Sequence, residues 1–183
     1  MGRLYRARQS EWYGSDSRAD GQGRRCRRGL SSGRVPLEAS RPKNTPGLQP
    51  RDELPRSQIL SATILVRRRR AAEAEQQVAS IMRGEAAALS REQAAEILGA
   101  DPADIELVRR FAESYGLAVT ESSAAQHTVK VAGTAAQMEV AFGTRLFSCA
   151  GHACYEGPLT IPSELDRIIV GVLGLDERPI ARR

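Results

Sequence analysis

The sequence predicts an α+β fold: an antiparallel sheet with helices packed on one face, carried behind a disordered basic tail. Three observations lead there. The charge is split along the chain. Residues 1–56 hold 13 Lys/Arg against 6 Asp/Glu, a net of +7, whereas the rest carries a net of −2 within the overall +5. Three stretches in the second part carry helix start and stop signals. Around them the apolar residues change from helical spacing to alternation, the pattern of strands with one buried face.

Residues 1–57 are rich in Arg, Gly, Ser and Pro and have almost no periodic apolar positions. Such a segment cannot bury enough surface to offset the entropy of ordering it, so the whole stretch is expected to be disordered. Its densest cluster is Arg24, Arg25, Cys26, Arg27 and Arg28. With no aromatic partners beside it, the cluster reads as a solvated tail before it reads as a localisation signal or nucleic-acid contact. The chain has 183 residues and is 41% hydrophobic, enough for one domain with a real core. No run of about 18 apolar residues occurs, so no membrane span is expected. No apolar segment follows Met1, so no signal peptide is readable.

The first element is the run at residues 61–66, Ser-Ala-Thr-Ile-Leu-Val, whose β-branched content suits a buried or half-buried strand. Arg67, Arg68, Arg69 and Arg70 follow it as a charged strand exit. Residues 71–89 are Ala- and Glu-rich but poorly periodic, and are expected to connect rather than to pack. Ser90 with Gln93 forms a capping box opening a helix through Ala94, Ile97 and Leu98 to Gly99. Asp101 then caps another helix, with Pro102 at the first position, where its missing N–H costs nothing. Ile105, Val108, Phe111, Ala112 and Tyr115 make its apolar stripe, Asp104 and Glu106 suit its dipole, and Gly116 ends it.

After Gly116 the period becomes two. Leu117 and Val119 share a face, residues 122–126 turn the chain, and Val129 and Val131 point inward. Thr134 with Gln137 makes a second capping box. Ala135, Met138 and Phe142 line its helix, Gly143 leaves it, and residues 145–147 look like the strand closing a βαβ unit. A short hairpin over residues 145–155, an edge at 159–162 and an apolar last strand within 168–176 complete the chain. Setting aside the Ser90 helix and the short hairpin, the order is βαββαβ, the split βαβ or ferredoxin-like arrangement. It leaves one sheet face open for a partner.

Sites of chemistry are sparse. Cys149, His152 and Cys154 are metal-ligand types, with Cys26 or His127 as a fourth, but their spacing fits no strong zinc pattern. Incidental thiols are the expectation, ahead of a cross-hairpin disulfide and of zinc. The only histidines are His127 and His152, and no serine stands in a Gly-x-Ser-x-Gly elbow. Gly133 and Gly143 punctuate helices and cradle no phosphate. No catalytic residue, metal or cofactor is therefore expected. The central strands have no aromatic residue, which argues against an RNA-binding sheet.

Laid end to end, several segments resemble the activation prodomain of the sedolisins, the kumamolisin-like serine-carboxyl peptidases. They are residues 89–93 (Leu-Ser-Arg-Glu-Gln), 99–105 (Gly-Ala-Asp-Pro-Ala-Asp-Ile) and 114–117 (Ser-Tyr-Gly-Leu). Residues 129–138 (Val-Lys-Val-Ala-Gly-Thr-Ala-Ala-Gln-Met) and 141–144 (Ala-Phe-Gly-Thr) continue the series. Residues 157–162 (Gly-Pro-Leu-Thr-Ile-Pro) and 170–176 (Val-Gly-Val-Leu-Gly-Leu-Asp) close it. The resemblance covers roughly two-thirds of the chain and implies a tail at 1–57, an activation domain at 58–176 and an exposed linker remnant at 177–183. It implies a propeptide that templates folding of an acid-acting peptidase, and inhibits it until acid triggers cleavage. The cleft-binding role falls to Glu177, Arg178, Pro179, Ile180, Ala181, Arg182 and Arg183. The family's Glu, Asp and Ser machinery lies in a catalytic domain beyond the prodomain, and the sequence reaches Arg183 before any of it. The expectation is a truncated or stand-alone prodomain that is no enzyme by itself and whose partner is a sedolisin-type catalytic domain. The family is typically secreted, but the compartment and oligomeric state stay open. The alternative is a small nucleic-acid-binding protein working through residues 1–56, with salt-dependent affinity.

Overall fold

The computed structural model describes residues 33–42 and 52–178, which belong to one compact unit. The strands are β1 Arg34–Leu37, β2 Asp52–Glu53, β3 Ile59–Val66, β4 Ala118–Ser123, β5 Thr128–Thr134, β6 Leu146–Cys149, β7 His152–Tyr155, β8 Leu159–Pro162 and β9 Ile169–Leu173. The helices are α1 Ala71–Met82, α2 Arg91–Leu98, α3 Pro102–Ser114 and α4 Ala135–Phe142.

The main sheet has four antiparallel strands in the order β4-β5-β3-β9. The first strand of the expected βαββαβ series, β3, sits between the third and the last. Alternation decides its faces. Along β3 the side chains of Leu60, Ala62, Ile64 and Val66 are buried, in register with Val129 and Val131 of β5 and Val172 of β9. Against this face pack α3 and α4. Val108 and Ala112 of α3 and Met138, Ala141 and Phe142 of α4 are buried there. Phe111 and Phe142 meet edge to face at 6.0 Å between ring centroids, the arrangement their quadrupoles favour.

The helix signals hold. Ser90 Oγ accepts from Gln93 N while Gln93 Oε1 accepts from Ser90 N, and Thr134 and Gln137 repeat the exchange in α4. Asp101 Oδ1 accepts from Ala103 N at 2.8 Å. Gly143 leaves α4 at φ +57°, and a Cβ there would lie 2.1 Å from Thr160 Oγ1.

Four expectations are corrected. The stretch 1–57 was expected to be disordered throughout, yet Arg34–Leu37 pairs with β8 and Asp52–Glu53 pairs with β6. Arg34 makes the first pairing possible: its guanidinium donates to Thr160 Oγ1, to the Ala141 carbonyl and to Tyr115 Oη. It thereby satisfies a C-terminal carbonyl of α4, where a cation is favourable. Residues 1–32 with the Arg24 to Arg28 cluster lie outside the described residues. Second, α1 is a helix where a connecting segment was expected, because Ala, Glu and Gln favour helix even without a buried stripe. Third, β6 does not close a βαβ unit with β5, since it joins β2 and β7 in a separate sheet. Fourth, Cys149 and Cys154 are not incidental thiols: a disulfide joins them across the β6–β7 hairpin, whose turn residues Ala150 and Gly151 both have positive φ.

Candidate docking face and linker exit

Opposite the helices, the main sheet presents its second set of side chains. From β3 come Ile59, Ser61, Thr63 and Leu65; from β5 Thr128, Lys130, Ala132 and Thr134. Ala118 and Glu121 of β4 and Leu173 of β9 complete the face. Every one of these is exposed or half-buried. Most are small, so the face is flat and its backbone is close to solvent. Ile59 and Leu173, 66% and 57% exposed, are the two exposed large apolar side chains of this face. Lys130 donates to Glu121 Oε2 at 2.7 Å across the β4–β5 pair. This is the chemistry of a contact surface, mixed in character, with an ion pair toward the β4 edge and two exposed apolar side chains.

The outer edges of this sheet are treated differently. At β9, Ser40 Oγ accepts from Val172 N at 2.8 Å and donates to Val172 O at 3.3 Å, so a side chain supplies the missing neighbour. At β4 a bulge shifts the register between Val119 and Glu121, and Thr120 donates its hydroxyl to Lys130 O. Both devices discourage another strand from adding in register.

The chain leaves the domain at a fixed point. Glu177 N donates to Ala153 O on β7 at 2.8 Å. Arg178 Nε donates to Asp176 Oδ1 at 2.8 Å and Nη2 to Oδ2 at 2.5 Å, and its side chain is only 8% exposed. Bonding to Asp176 raises the Arg178 guanidinium above its ordinary range. Burial, with the Asp176 charge adding to it, raises the neighbouring Tyr155 phenol. Of the seven residues expected to form the linker, Glu177 is exposed and Arg178 is clasped to the domain. Pro179, Ile180, Ala181, Arg182 and Arg183 lie outside the described residues. Alternation made the open face legible in the sequence; the clasp, and the Ser40 cover of β9, carried no sequence signal.

Elsewhere the chemistry-bearing side chains are engaged in structure. The disulfide takes both thiols from the Cys149, His152 and Cys154 group, leaving zinc no thiolate there. Cys26 lies outside the described residues. Among the described residues no group of three His, Cys, Asp or Glu could hold a metal ion, and no helix is long and apolar enough to cross a membrane. The open face carries no aromatic ring on which a base could stack.

Comparison with known proteins adds two findings. The family described as "Pro-kumamolisin, activation domain" matches residues 46–178. Kumamolisin from Bacillus sp. (strain MN-32) is 32% identical over 132 residues, which are 68% of this chain and 24% of that protein. The chain thus spans about a quarter of the length of this relative.

Proposed function

Since the chain belongs to the pro-kumamolisin activation-domain family, a propeptide and not a catalytic family, we propose that it templates the folding of an acid-acting serine-carboxyl peptidase and inhibits it. The open face of the main sheet carries this reading. It has the mixed chemistry of a docking surface, while the buried face is already filled by α3 and α4. The partner is the catalytic domain of a kumamolisin-type peptidase. The chain beyond the clasped Arg178 then enters the substrate cleft as an extended segment, with Pro179 limiting its backbone freedom. The Asp176–Arg178 clasp supports this role because it fixes where that segment starts. Acid release follows from protonation of carboxylates at the contact, near their ordinary pKa of about 4.

The test is direct. Purified chain is added to the catalytic domain of a kumamolisin-type peptidase, and peptide hydrolysis is followed from near-neutral to acid pH. Inhibition at near-neutral pH that is relieved on acidification is expected; no inhibition at any pH sinks the reading.

A further inference from the structure

Arg67, Arg68, Arg69 and Arg70 form an exposed run between the central strand β3 and the helix α1. The structure assigns this run a role of its own: we propose that it is a latent processing site for a serine endopeptidase specific for paired basic residues. The bond cut is Arg70–Ala71.

In the folded domain the run is held, and two of its four cations, Arg67 and Arg70, face carboxylates. Arg67 N donates to Ile168 O at 2.8 Å and Arg69 N to Gly99 O at 2.9 Å. The Arg67 guanidinium binds Asp104 at 2.7 Å, and Arg70 lies 3.5 Å from Glu73 and 3.8 Å from Glu96. Carboxylates beside the cations disfavour a phosphate or polyanion ligand. A protease meets a different situation, because it acts on the chain after the segment opens.

Opening this segment requires little disruption of packing. On α1 the stripe Ala74, Val78 and Met82 is seated at Ala74 alone, with Val78 40% and Met82 83% exposed. The neighbouring α2 has no buried residue. Segments with so few buried contacts open far more readily than the core. The main sheet need not move, since β3 is held by β5 along Ile59–Leu65 and by β9 along Thr63–Val66. Once α1 lifts and Arg67 and Arg69 give up Asp104, Ile168 O and Gly99 O, Arg70, Arg69 and Arg67 can be read as an extended basic motif, and Ala71 and Ala72 present no bulk beyond the scissile bond.

The chemistry is hydrolysis. Water adds across the Arg70–Ala71 amide, the C–N bond breaks, Arg70 ends as a carboxylate and Ala71 as an ammonium. The new ammonium stands at the N-terminus of α1, where the helix dipole disfavours it, which weakens the reseating of α1. The piece ending at Arg70 stays attached through β3, with Leu60, Ala62, Ile64 and Val66 still in the core. After the cut, however, losing β3 is a dissociation and not a local fluctuation. This proposal holds whether or not the open face docks on a peptidase.

The full-length chain is incubated under native conditions with a soluble endopeptidase of paired-basic specificity, and products are identified by intact mass. The expected result is a break at Arg70–Ala71 whose two fragments co-elute in gel filtration at neutral pH and separate in denaturant. Arg70→Gln abolishes this break with an unchanged circular dichroism spectrum. Ala74→Arg, which unseats α1, speeds it about tenfold, the size expected of an ordinary destabilising substitution. A native chain left intact at this bond while the denatured chain is cut there overturns the proposal. Fragments that part at neutral pH, or a rate unmoved by Ala74→Arg, overturn it equally.

Discussion

The phenolic hydroxyl of Tyr155 donates to the backbone carbonyl of Ser40, across 115 positions of chain. Ser40 in turn covers the outer edge of β9 at Val172. One hydroxyl on the hairpin therefore positions the turn after β1, which closes the main sheet. Tyr155→Phe leaves a buried carbonyl unpaired and is expected to destabilise the domain by about 1–3 kcal/mol in urea unfolding. The pH dependence has a definite sign. Burial raises the folded-state phenol above its usual value, so the stabilisation is complete below the unfolded pKa of about 10. It is lost as pH rises through the folded value. Wild-type stability should fall above pH ~10, and Tyr155→Phe should flatten that limb.

The Arg67–Asp104 pair is asymmetric, with side chains 49% and 8% exposed. Removing the arginine strands a buried carboxylate, whereas removing the acid leaves a guanidinium that water can reach. Arg67→Ala should cost about 2 kcal/mol, below the 3–5 kcal/mol of fully buried pairs. Asp104→Asn should cost less, and a double-mutant cycle should show coupling between the two.

Gly143→Ala meets two penalties. The left-handed backbone alone costs about 1 kcal/mol, and the new Cβ runs into Thr160 Oγ1, which holds Arg34 Nε. The measured loss should exceed that ~1 kcal/mol, and Thr160→Ala in the same chain should recover part of the excess.

Peptide mapping without reduction should recover Cys149 and Cys154 in one cross-linked species. Because the loop they close is short, replacing both by Ser should cost about 2 kcal/mol on the chain-entropy account.

On the open face, Ile59→Arg and Leu173→Asp should leave the melting temperature nearly unchanged, since both side chains are already mostly in water. Together they should weaken inhibition of a kumamolisin-type peptidase at least about tenfold, as truncating a contact's apolar anchors does. Unchanged inhibition would move the docking site elsewhere.

The sequence made legible whatever is encoded locally. Ser90 with Gln93, Asp101 with Pro102, and Thr134 with Gln137 state their helices within four residues, and Val129 and Val131 state which sheet face is buried. Features that depend on distant partners were not legible. Arg34–Leu37 is only four residues long, too short for a periodic signal, and its pairing rests on Thr160, Ala141 and Tyr115, which are 81 to 126 positions away. The helix α1 went unread because most of its stripe is not buried, so its spacing carried no signal. Of the candidate site, the open face followed from alternation, whereas the Arg178 clasp depends on how Asp176 is seated beside Tyr155.

The place of β3 also sets the order in which the domain can form. Its neighbours on the sheet are residues 128–134 on one side and 169–173 on the other. Both pairings close long loops before any contact between strands compensates, which makes for a slow search. During synthesis the first strand of the main sheet must therefore wait, with its apolar side chains uncovered, until α3, β5 and α4 have emerged. The interval between those two events is when the chain is most open to aggregation, and a chaperone that shields Leu60, Ile64 and Val66 would act then.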